Sequence, residues 1–356
     1  LIPSTKVIIT GISPLSIGAS LAQAVSSQSP RLLILASRTP SNIASITSSI
    51  KTLYPSVRIA EIVLDLSDLR SVRTAAEEVK RIVGDGEVDV LFNNAGINIS
   101  WREVTEEGYE KQFVTNHLGP FLFTNLLLPL MLRGSSQSRS NSSSNSTSTS
   151  DLGKVGKVGR ATKRIINTSS EAHRISPIRF SDLHQTPGVR VVEGEGPRRG
   201  MPEGVLRRGG EGEGGEAYVY EPAIAYGMSK TANVLLSVEL NRRVGGKGVG
   251  SWAVSPGNIM TNLVRGADEQ MLKGMLSGVP DSEWKTADQG AATLVVAGFD
   301  PALDVSDGVY LHDCQMRRPS KWAVDSGFAE RLWRVSEELV GEKFDVVGQG
   351  KGKSRL

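Results

Sequence analysis

The sequence predicts an α/β fold with one doubly wound domain, a roughly seven-stranded parallel sheet and two loop insertions. Short apolar runs of strand length alternate along the chain with segments of helix length. A glycine-rich turn follows the first of these runs, and 356 residues are enough to bury one large core. Because strand–helix–strand crossovers are right-handed, a parallel sheet covered by helices on both faces is the simplest arrangement.

The elements follow in order along the chain. We predict strands at residues 7–9, 32–35, 59–64, 88–92, 164–167, 252–254 and 309–311. Between them, helical patterns cover residues 18–27, 41–53, 69–83, 106–132, 225–243 and 286–298. No internal repeat divides the chain, so residues 1–356 are expected to form a single domain.

Two segments interrupt this alternation. Residues 134–163 begin with a run of Ser, Asn and Thr and continue with Gly and Lys, and residues 188–216 are rich in Gly, Glu and Arg. Segments this poor in apolar residues cannot offset the entropy of ordering by burial. We therefore expect the first insertion to be disordered and the second to be an exposed, mobile loop.

Composition favours a soluble enzyme over a nucleic-acid or membrane protein. The net charge is only +3, and we expect the basic cluster at residues 154–164 to be a solvated loop rather than a phosphate-binding surface. The apolar stretch 120–132 is shorter than the roughly 20 residues that span a bilayer. A single cysteine, Cys314, excludes an internal disulfide, and four scattered histidines show no metal-ligand spacing.

The amino-terminal residues give no targeting signal, because residues 6–10 are typical of a strand. The chain starts with Leu1 rather than Met, so we expect that an upstream segment is missing. From these features we predict a cytoplasmic location.

A tyrosine and a lysine are spaced four residues apart in the helical pattern of residues 225–243. Tyr226 and Lys230 therefore lie one turn apart on the same face of the helix. An ammonium close to a phenol favours the phenolate and lowers the pKa of the phenol, which suits proton transfer near neutral pH. Alone, the spacing also fits two surface residues, so its weight depends on the motifs around it.

The glycine-rich turn is one of these motifs. Gly11 ends the first apolar run and Gly18 opens the following helix, an arrangement in which backbone N–H groups face the pyrophosphate of a dinucleotide. Ser16 lies between them and could offer its hydroxyl to the phosphates. The alternative is a strand-to-helix turn that needs glycine only for its geometry.

Arg38 ends the second predicted strand, about 20 residues beyond the glycine-rich turn. An acidic residue there would accept a hydrogen bond from the ribose of NAD, whereas an arginine would pair with the 2′-phosphate of NADP. Neither Ser37 nor Thr39 is acidic, so the position favours NADP(H). The alternative is a surface arginine at the end of a strand.

Taken together with Asn116, Ser170 and the segments 93–96 and 256–257, these motifs resemble the short-chain dehydrogenase/reductase family over roughly residues 5–344. The family has a Rossmann fold, as predicted here. Its usual TGxxxGxG motif is altered, because the loop is one residue longer and Leu15 or Ser16 replaces the middle glycine. Residues 116–121, 164–173 and 225–233 are similar to the retinol-dehydrogenase-like branch and its fungal relatives.

The resemblance implies the site residues. Tyr226 would be the general acid in ketone reduction, Lys230 would lower its pKa and bind the ribose, Ser170 would hold the substrate oxygen, and Asn116 would anchor a water in the proton path. The implied cofactor-binding residues are Gly11, Ser13, Ser16, Ile17, Gly18, Arg38, Asp65, Leu66, Asn93, Ala95, Gly96, Asn116, Tyr226, Lys230, Pro256, Gly257, Ile259 and Thr261. No metal site is expected.

Of three further residues, Asp65 and His173 have more than one interpretation. Asp65 would contact the adenine, cap the helix that starts near residue 67, or do both. His117 is expected in the core, and His173 either faces the substrate or is structural. In the family, the second insertion lies next to the substrate site, where it forms part of a lid or is only a tolerated loop.

The resemblance implies an NADP(H)-dependent oxidoreductase that transfers a hydride between nicotinamide and a carbonyl or alcohol of a lipophilic small molecule. Ketones, aldehydes and retinoid-, steroid- or polyketide-like compounds are the candidate substrates, and a homodimer is the candidate assembly. The competing hypothesis is a catalytically weak, dinucleotide-sensing regulatory or scaffold protein, which the altered glycine loop and the insertions favour.

Overall fold

A computed structural model describes residues 2–133, 161–186, 195, 220–259, 280 and 283–345. Within these ranges, eight strands form one sheet in the order β10-β9-β6-β5-β4-β1-β2-β3, and every pairing is parallel except that of β10 with β9. The strands are β1 (Lys6–Thr10), β2 (Leu32–Ser37), β3 (Ile59–Val63), β4 (Val90–Asn93), β5 (Lys163–Thr168), β6 (Val249–Ser255), β9 (Tyr310–His312) and β10 (Gln315–Met316). A second, two-stranded sheet pairs β7 (Asn258–Ile259) with β8 (Trp284–Lys285).

Helices connect the strands and cover both faces of the sheet. They are α1 (Ile17–Ser26), α2 (Pro40–Leu53), α3 (Leu69–Val83), α4 (Lys111–Phe113), α5 (Gly119–Leu132), α6 (Pro222–Val244), α7 (Ala287–Phe299) and α8 (Ser326–Val340). Helices α4 and α5 are joined by a π-helical turn at Val114–Leu118. In the described part of the chain, no helix is both long and apolar enough to cross a membrane.

The sheet divides the apolar core into two clusters. On one face, residues of α3, α5, α6 and α8 pack together, with Phe121, Leu235 and Trp333 fully or almost fully buried. On the other face, α1, α2 and α7 pack against the strands, with Leu21 and Leu294 fully buried. This two-sided burial explains why the strands are apolar in continuous runs instead of alternating with polar residues.

The seven predicted strands are confirmed. The structure adds an eighth strand to the main sheet, and the two short strands β7 and β8 beside it. Strand β10 comprises only Gln315–Met316 and is therefore too short to carry an apolar run. It follows β9 through a tight turn. Asp313 and Cys314 form that turn, both at positive φ (54° and 57°), and Cys314 is exposed.

Two helix predictions need correction. Helix α8 was not predicted, although it buries Leu332 and Trp333 against the core. The predicted helix 106–132 begins only at Lys111, because Val104 and Glu110 form a β-bridge before it. Buried Glu110 then caps the helix by accepting from the backbone N–H of Phe113.

The insertions lie mostly outside the described residues. Of the first, only residues 161–163 are described, and Lys163 is already part of β5, where it pairs with Glu87 and Asp89. The insertion therefore ends before residue 163. Arg164, from the same basic cluster, is buried and donates to the backbone of α7. Of the second insertion, only Glu195 is described; its carboxylate accepts from Ser181.

Candidate active site

A cavity of about 550 Å³ opens at the carboxyl ends of the parallel strands, within the range of roughly 300–1,000 Å³ usual for small-molecule sites. It straddles β1 and β4, where the strand order reverses and where open α/β sheets bind their ligands. Most predicted site residues line it, namely Gly11, Ser13, Ser16, Ile17, Gly18, Arg38, Asp65, Leu66, Ala95, Gly96, Ser170, Tyr226, Lys230, Pro256, Gly257 and Ile259.

The loop between β1 and α1 is built for close backbone approach despite its altered motif. Gly11 has a φ of +81°, and a Cβ there would lie 2.7 Å from the Cα of Ala95. A Cβ at Gly18 would lie 2.5 Å from the carbonyl oxygen of Gly11. Leu15, at φ +59°, is 83 % exposed and does not line the cavity, so it leaves the N-terminus of α1 open.

Ser16 has a local role in this loop. Its hydroxyl donates to the carbonyl of Ser13 at 2.7 Å and accepts from the N–H of Ala19 at 3.1 Å, as an N-cap residue does. The hydroxyl is therefore engaged within the loop, and the free backbone N–H groups of the first turn of α1 are the donors suited to a phosphate. The loop and the helix thus fit a dinucleotide pyrophosphate.

The cavity extends past Arg38, which is exposed at the end of β2. Opposite it lie three lining residues that the sequence did not reveal, Trp101, Glu103 and Lys111. Glu103 accepts from Lys111 at 2.6 Å and from the Trp101 indole at 2.5 Å. These hydrogen bonds lower the pKa of Glu103, and the charge of Arg38 contributes to the shift. The signal was weak because Trp101 and Glu103 lie in a loop without a motif and Lys111 only begins the helix that follows it.

Asp65 lines the cavity and also organises the turn after β3. Its carboxylate accepts from both the N–H (2.9 Å) and the hydroxyl (2.7 Å) of Ser67. Helix α3 itself is capped by Asp68, which accepts from the N–H of Arg70 at 2.8 Å. The cap of α3 is therefore Asp68, three residues further along the chain than the predicted Asp65.

Ser170, Tyr226 and Lys230 meet at one end of the cavity. Ser170 caps the short helical turn Glu171–Arg174 after β5, and its hydroxyl also forms a hydrogen bond with the Tyr226 phenol. The Nζ of Lys230 lies 5.4 Å from the centre of the Tyr226 ring and donates to the carbonyl of Thr168 at 3.0 Å. Helix α6 provides the tyrosine and the lysine, and the turn after β5 provides the serine.

Burial dominates the electrostatics of this group. It raises the pKa of Tyr226 to about 12, partly offset by the hydrogen bond with Ser170. It lowers the pKa of Lys230 to about 7. The expectation that the ammonium brings the phenol below its ordinary pKa is therefore corrected: burial penalises the phenolate and the ammonium alike. The group of this pair that titrates near neutral pH is Lys230.

Asn116 lies behind the cavity wall. Its side chain accepts from the N–H of Ile97 at 2.8 Å and donates to the carbonyl of Ile97 and to the hydroxyl of Ser229, both at 2.9 Å. The amide is thus engaged by protein atoms on both sides. It clamps the loop after β4 to helix α6, a different role from the expected water anchor.

Two other predicted residues do not line the cavity. Asn93 is buried in the sheet and donates to Asn167 and Thr124, at 2.9 Å and 2.8 Å. His173 is fully buried: Nδ1 donates to the carbonyl of Ser170 (2.7 Å), and Nε2 accepts from the N–H of Ser320 (3.1 Å). It therefore faces no substrate and supports the turn that carries Ser170.

His117, as predicted, lies in the core, where its Nε2 bonds the hydroxyl of Ser336 at 2.8 Å. Thr261 lies outside the described residues. Among the residues the structure does describe, no group of His, Cys, Asp and Glu side chains is arranged to hold a metal ion.

The turn after Ser170 is also tied to the sheet edge. The phenol of Tyr310, in β9, donates to Glu171 at 2.5 Å, and Arg174 donates to the same carboxylate at 2.6 Å. Burial raises the pKa of Tyr310, so this phenol stays a donor at any ordinary pH. The turn that carries the serine is thus tied to β9 as well as to β5, the strand that it follows.

The fold and the site define a dinucleotide-binding enzyme, and comparisons with known proteins identify the family. Residues 5–150 match the family model described as short chain dehydrogenase. The chain is 32 % identical to short-chain dehydrogenase TIC 32 B, chloroplastic, of Brassica napus, over 94 % of this chain and 88 % of the relative. It is 30 % identical to human retinol dehydrogenase 12, over 97 % and 89 %. The chain therefore belongs to the short-chain dehydrogenase family, in its retinol-dehydrogenase-like branch.

Solved structures agree with this assignment. An uncharacterized protein from Mycobacterium paratuberculosis superposes with a TM-score of 0.62 at 27 % identity, over 96 % of this chain and 97 % of that one. The NADPH-bound carbonyl reductase from chicken fatty liver has a TM-score of 0.57 at 19 % identity, over 90 % and 100 %, and shares the fold. The family supports a hydride-transferring oxidoreductase that uses a nicotinamide dinucleotide and acts on an alcohol or carbonyl.

Proposed function

We propose that this protein is an NADP(H)-dependent reductase of carbonyl groups, or dehydrogenase of the corresponding alcohols, in lipophilic small molecules. The observation that carries the proposal is the meeting of Ser170, Tyr226 and Lys230 at one end of a cavity whose far part reaches Arg38. The name of one relative adds support for the substrate class, since retinol is a lipophilic alcohol.

The cofactor assignment rests on Arg38. Its guanidinium is exposed at the cavity, and the carboxylate of Glu103 is a nearby negative charge. A doubly negative 2′-phosphate would give the guanidinium a second and stronger counter-charge. The backbone N–H groups at the start of α1 would hold the pyrophosphate, and Asp65 and Leu66 would flank the adenine. The dinucleotide supplies the hydride when bound.

The proton chemistry belongs to the chain's own residues. Ser170 would hold the substrate oxygen beside the phenol, and Tyr226, neutral up to a pKa of about 12, would donate its proton to that oxygen. When Lys230 is protonated, its ammonium stabilises the negative charge that then develops on the phenol oxygen. In the reverse direction the tyrosine would act as the base.

Turnover of NADPH with a panel of ketones and aldehydes tests the proposal. We expect wild-type protein to consume NADPH, and Tyr226→Phe to lose about 10²–10⁴-fold in kcat while it still binds NADPH, because only the acidic proton is removed. Tyr54→Phe is the matched control, since Tyr54 does not line the cavity. Turnover that survives Tyr226→Phe would mean that Tyr226 is not the proton donor, whereas a wild type that binds NADPH and consumes none with any substrate would favour the dinucleotide-sensing role.

A further inference from the structure

The backbone carbonyl of Asn116 cannot accept the hydrogen bond that an α-helix would give it. In an α-helix the carbonyl of residue i accepts from the N–H of residue i+4, which here is Pro120, a residue without an N–H. The chain passes through a π turn at this point, where the N–H of Gly119 bonds the carbonyl of Val114. Asn116 is 1 % exposed, so an unpaired carbonyl there would be costly.

Asn233 supplies the missing donor from another helix. Its Nδ2 donates to the carbonyl of Asn116 at 2.7 Å. Asn233 lies on α6, one turn after Lys230, and is 3 % exposed. Its Oδ1 is buried and finds no hydrogen-bond partner among the described residues. What the buried amide contributes at this position is therefore its donor.

This bond is connected to the reacting group through Asn116. The side chain of Asn116 pairs with both backbone groups of Ile97, which lines the cavity. It also donates to Ser229, whose hydroxyl in turn donates to the carbonyl of Tyr226 at 2.8 Å. A shift of the Asn116 backbone would therefore move the contact between the cavity wall and the segment that carries Tyr226 and Lys230.

We propose that Asn233 is a positioning residue of the active site. By replacing the N–H that Pro120 lacks, it fixes the Asn116 backbone, and with it the clamp between Ile97 and Ser229 that sets Lys230 against the cavity. The inference rests on the proposed function, because its effect is measured on turnover.

Asn233→Leu tests the proposal, since leucine branches at the same carbon as asparagine but cannot donate a hydrogen bond at any pH. We expect kcat to fall about 10–100-fold, as displacements of about 1 Å do, with little change in NADPH affinity. The pH at which kcat/KM changes should also shift, because a loosened clamp admits water around Lys230. Asn125→Leu is the matched control: Asn125 is a buried amide of α5 that donates to the carbonyl of Phe121 at 2.9 Å and does not line the cavity.

Pro120→Ala provides a second arm, because it returns an N–H to the helix. Combined with Asn233→Leu, it should restore part of kcat, or restore folding if the single variant does not fold. Equal losses in Asn233→Leu and Asn125→Leu, or no recovery in the double variant, would overturn the inference. Wild-type protein that turns over no substrate would overturn the proposed function, whereas an active wild type with unaffected Asn233→Leu overturns this inference alone.

Discussion

At the scale of single residues, the reacting group could be located from the sequence, but its electrostatics could not. The four-residue spacing of Tyr226 and Lys230 is local, so a helix brings the two side chains together whatever surrounds it. Their pKa values depend on burial, which is a property of the folded chain. The same limit applies to Glu103 and Asn233, whose contacts are with other elements.

The titration of Lys230 predicts a pH dependence. Since kcat/KM reports the free enzyme and burial lowers the pKa of Lys230 to about 7, the ammonium is lost as the pH rises through that value, while Tyr226 stays protonated. We expect kcat/KM for reduction to fall above about pH 7. Lys230→Arg keeps its charge at every accessible pH, so its profile should be flat there, whatever its absolute rate. Profiles of the same shape for both proteins would contradict the assignment to Lys230.

Charge at position 38 predicts cofactor preference. Arg38→Asp should weaken NADPH binding by about 10–100-fold, corresponding to the roughly 1.5–3 kcal/mol of a charge-assisted hydrogen bond, and should affect NADH much less. Fluorescence titration with both cofactors measures the two affinities. Arg334→Asp makes the same charge change at an exposed residue of α8 and serves as the control. A wild type that prefers NADH, or equal losses for both cofactors, would exclude the proposed 2′-phosphate contact.

At the scale of elements, whether a strand or a helix could be predicted from the sequence depended on the length and the apolar content of its segment. The seven longer strands carry apolar runs, whereas β10 is two residues long and exists only because the tight turn folds it back onto β9. Helix α8 has a clear apolar face, with Leu332, Trp333 and Val340 buried, and was overlooked although its signal is in the sequence. The π turn was not predicted, because the apolar residues around it do not distinguish a π turn from an α-helical one.

The docking of α8 onto the π turn predicts a loss of stability in acid. His117, which bonds Ser336 of α8, is fully buried, and burial lowers its pKa from 6.5 to about 3. Between those values the unfolded chain binds one more proton than the folded chain, so folding loses stability as the pH falls below 6.5. At pH 5 this amounts to about 2 kcal/mol.

Denaturant unfolding at pH 7.5 and pH 5 measures this effect. His117→Leu removes the titrating ring, and Ser336 keeps its bond to the carbonyl of Leu332 at 2.7 Å. The free energy of unfolding of the variant should therefore decline less between the two pH values than that of the wild type. Equal declines would show that the histidine is not what limits stability in acid.

At the scale of the whole molecule, the site lies at the carboxyl ends of the strands of the main sheet, and the first insertion lies between α5 and β5 along the chain. We predict that deletion of residues 135–151 changes melting temperature and turnover little, because its composition offers little burial and loop closure depends only weakly on length. Differential scanning calorimetry and NADPH turnover of the deletion variant measure both. A large loss of stability would mean that the segment packs onto the domain.

The tight turn between β9 and β10 has a practical consequence. Cys314 is the only cysteine of the chain and is exposed, so a thiol-reactive fluorophore attaches at a single known point without prior mutagenesis. The neighbouring Asp313 accepts from Lys285 at 2.7 Å, and the Lys285 side chain lies against Gly257 at the cavity. The fluorescence of a dye at this turn should therefore change in real time when a cofactor binds against that wall of the cavity.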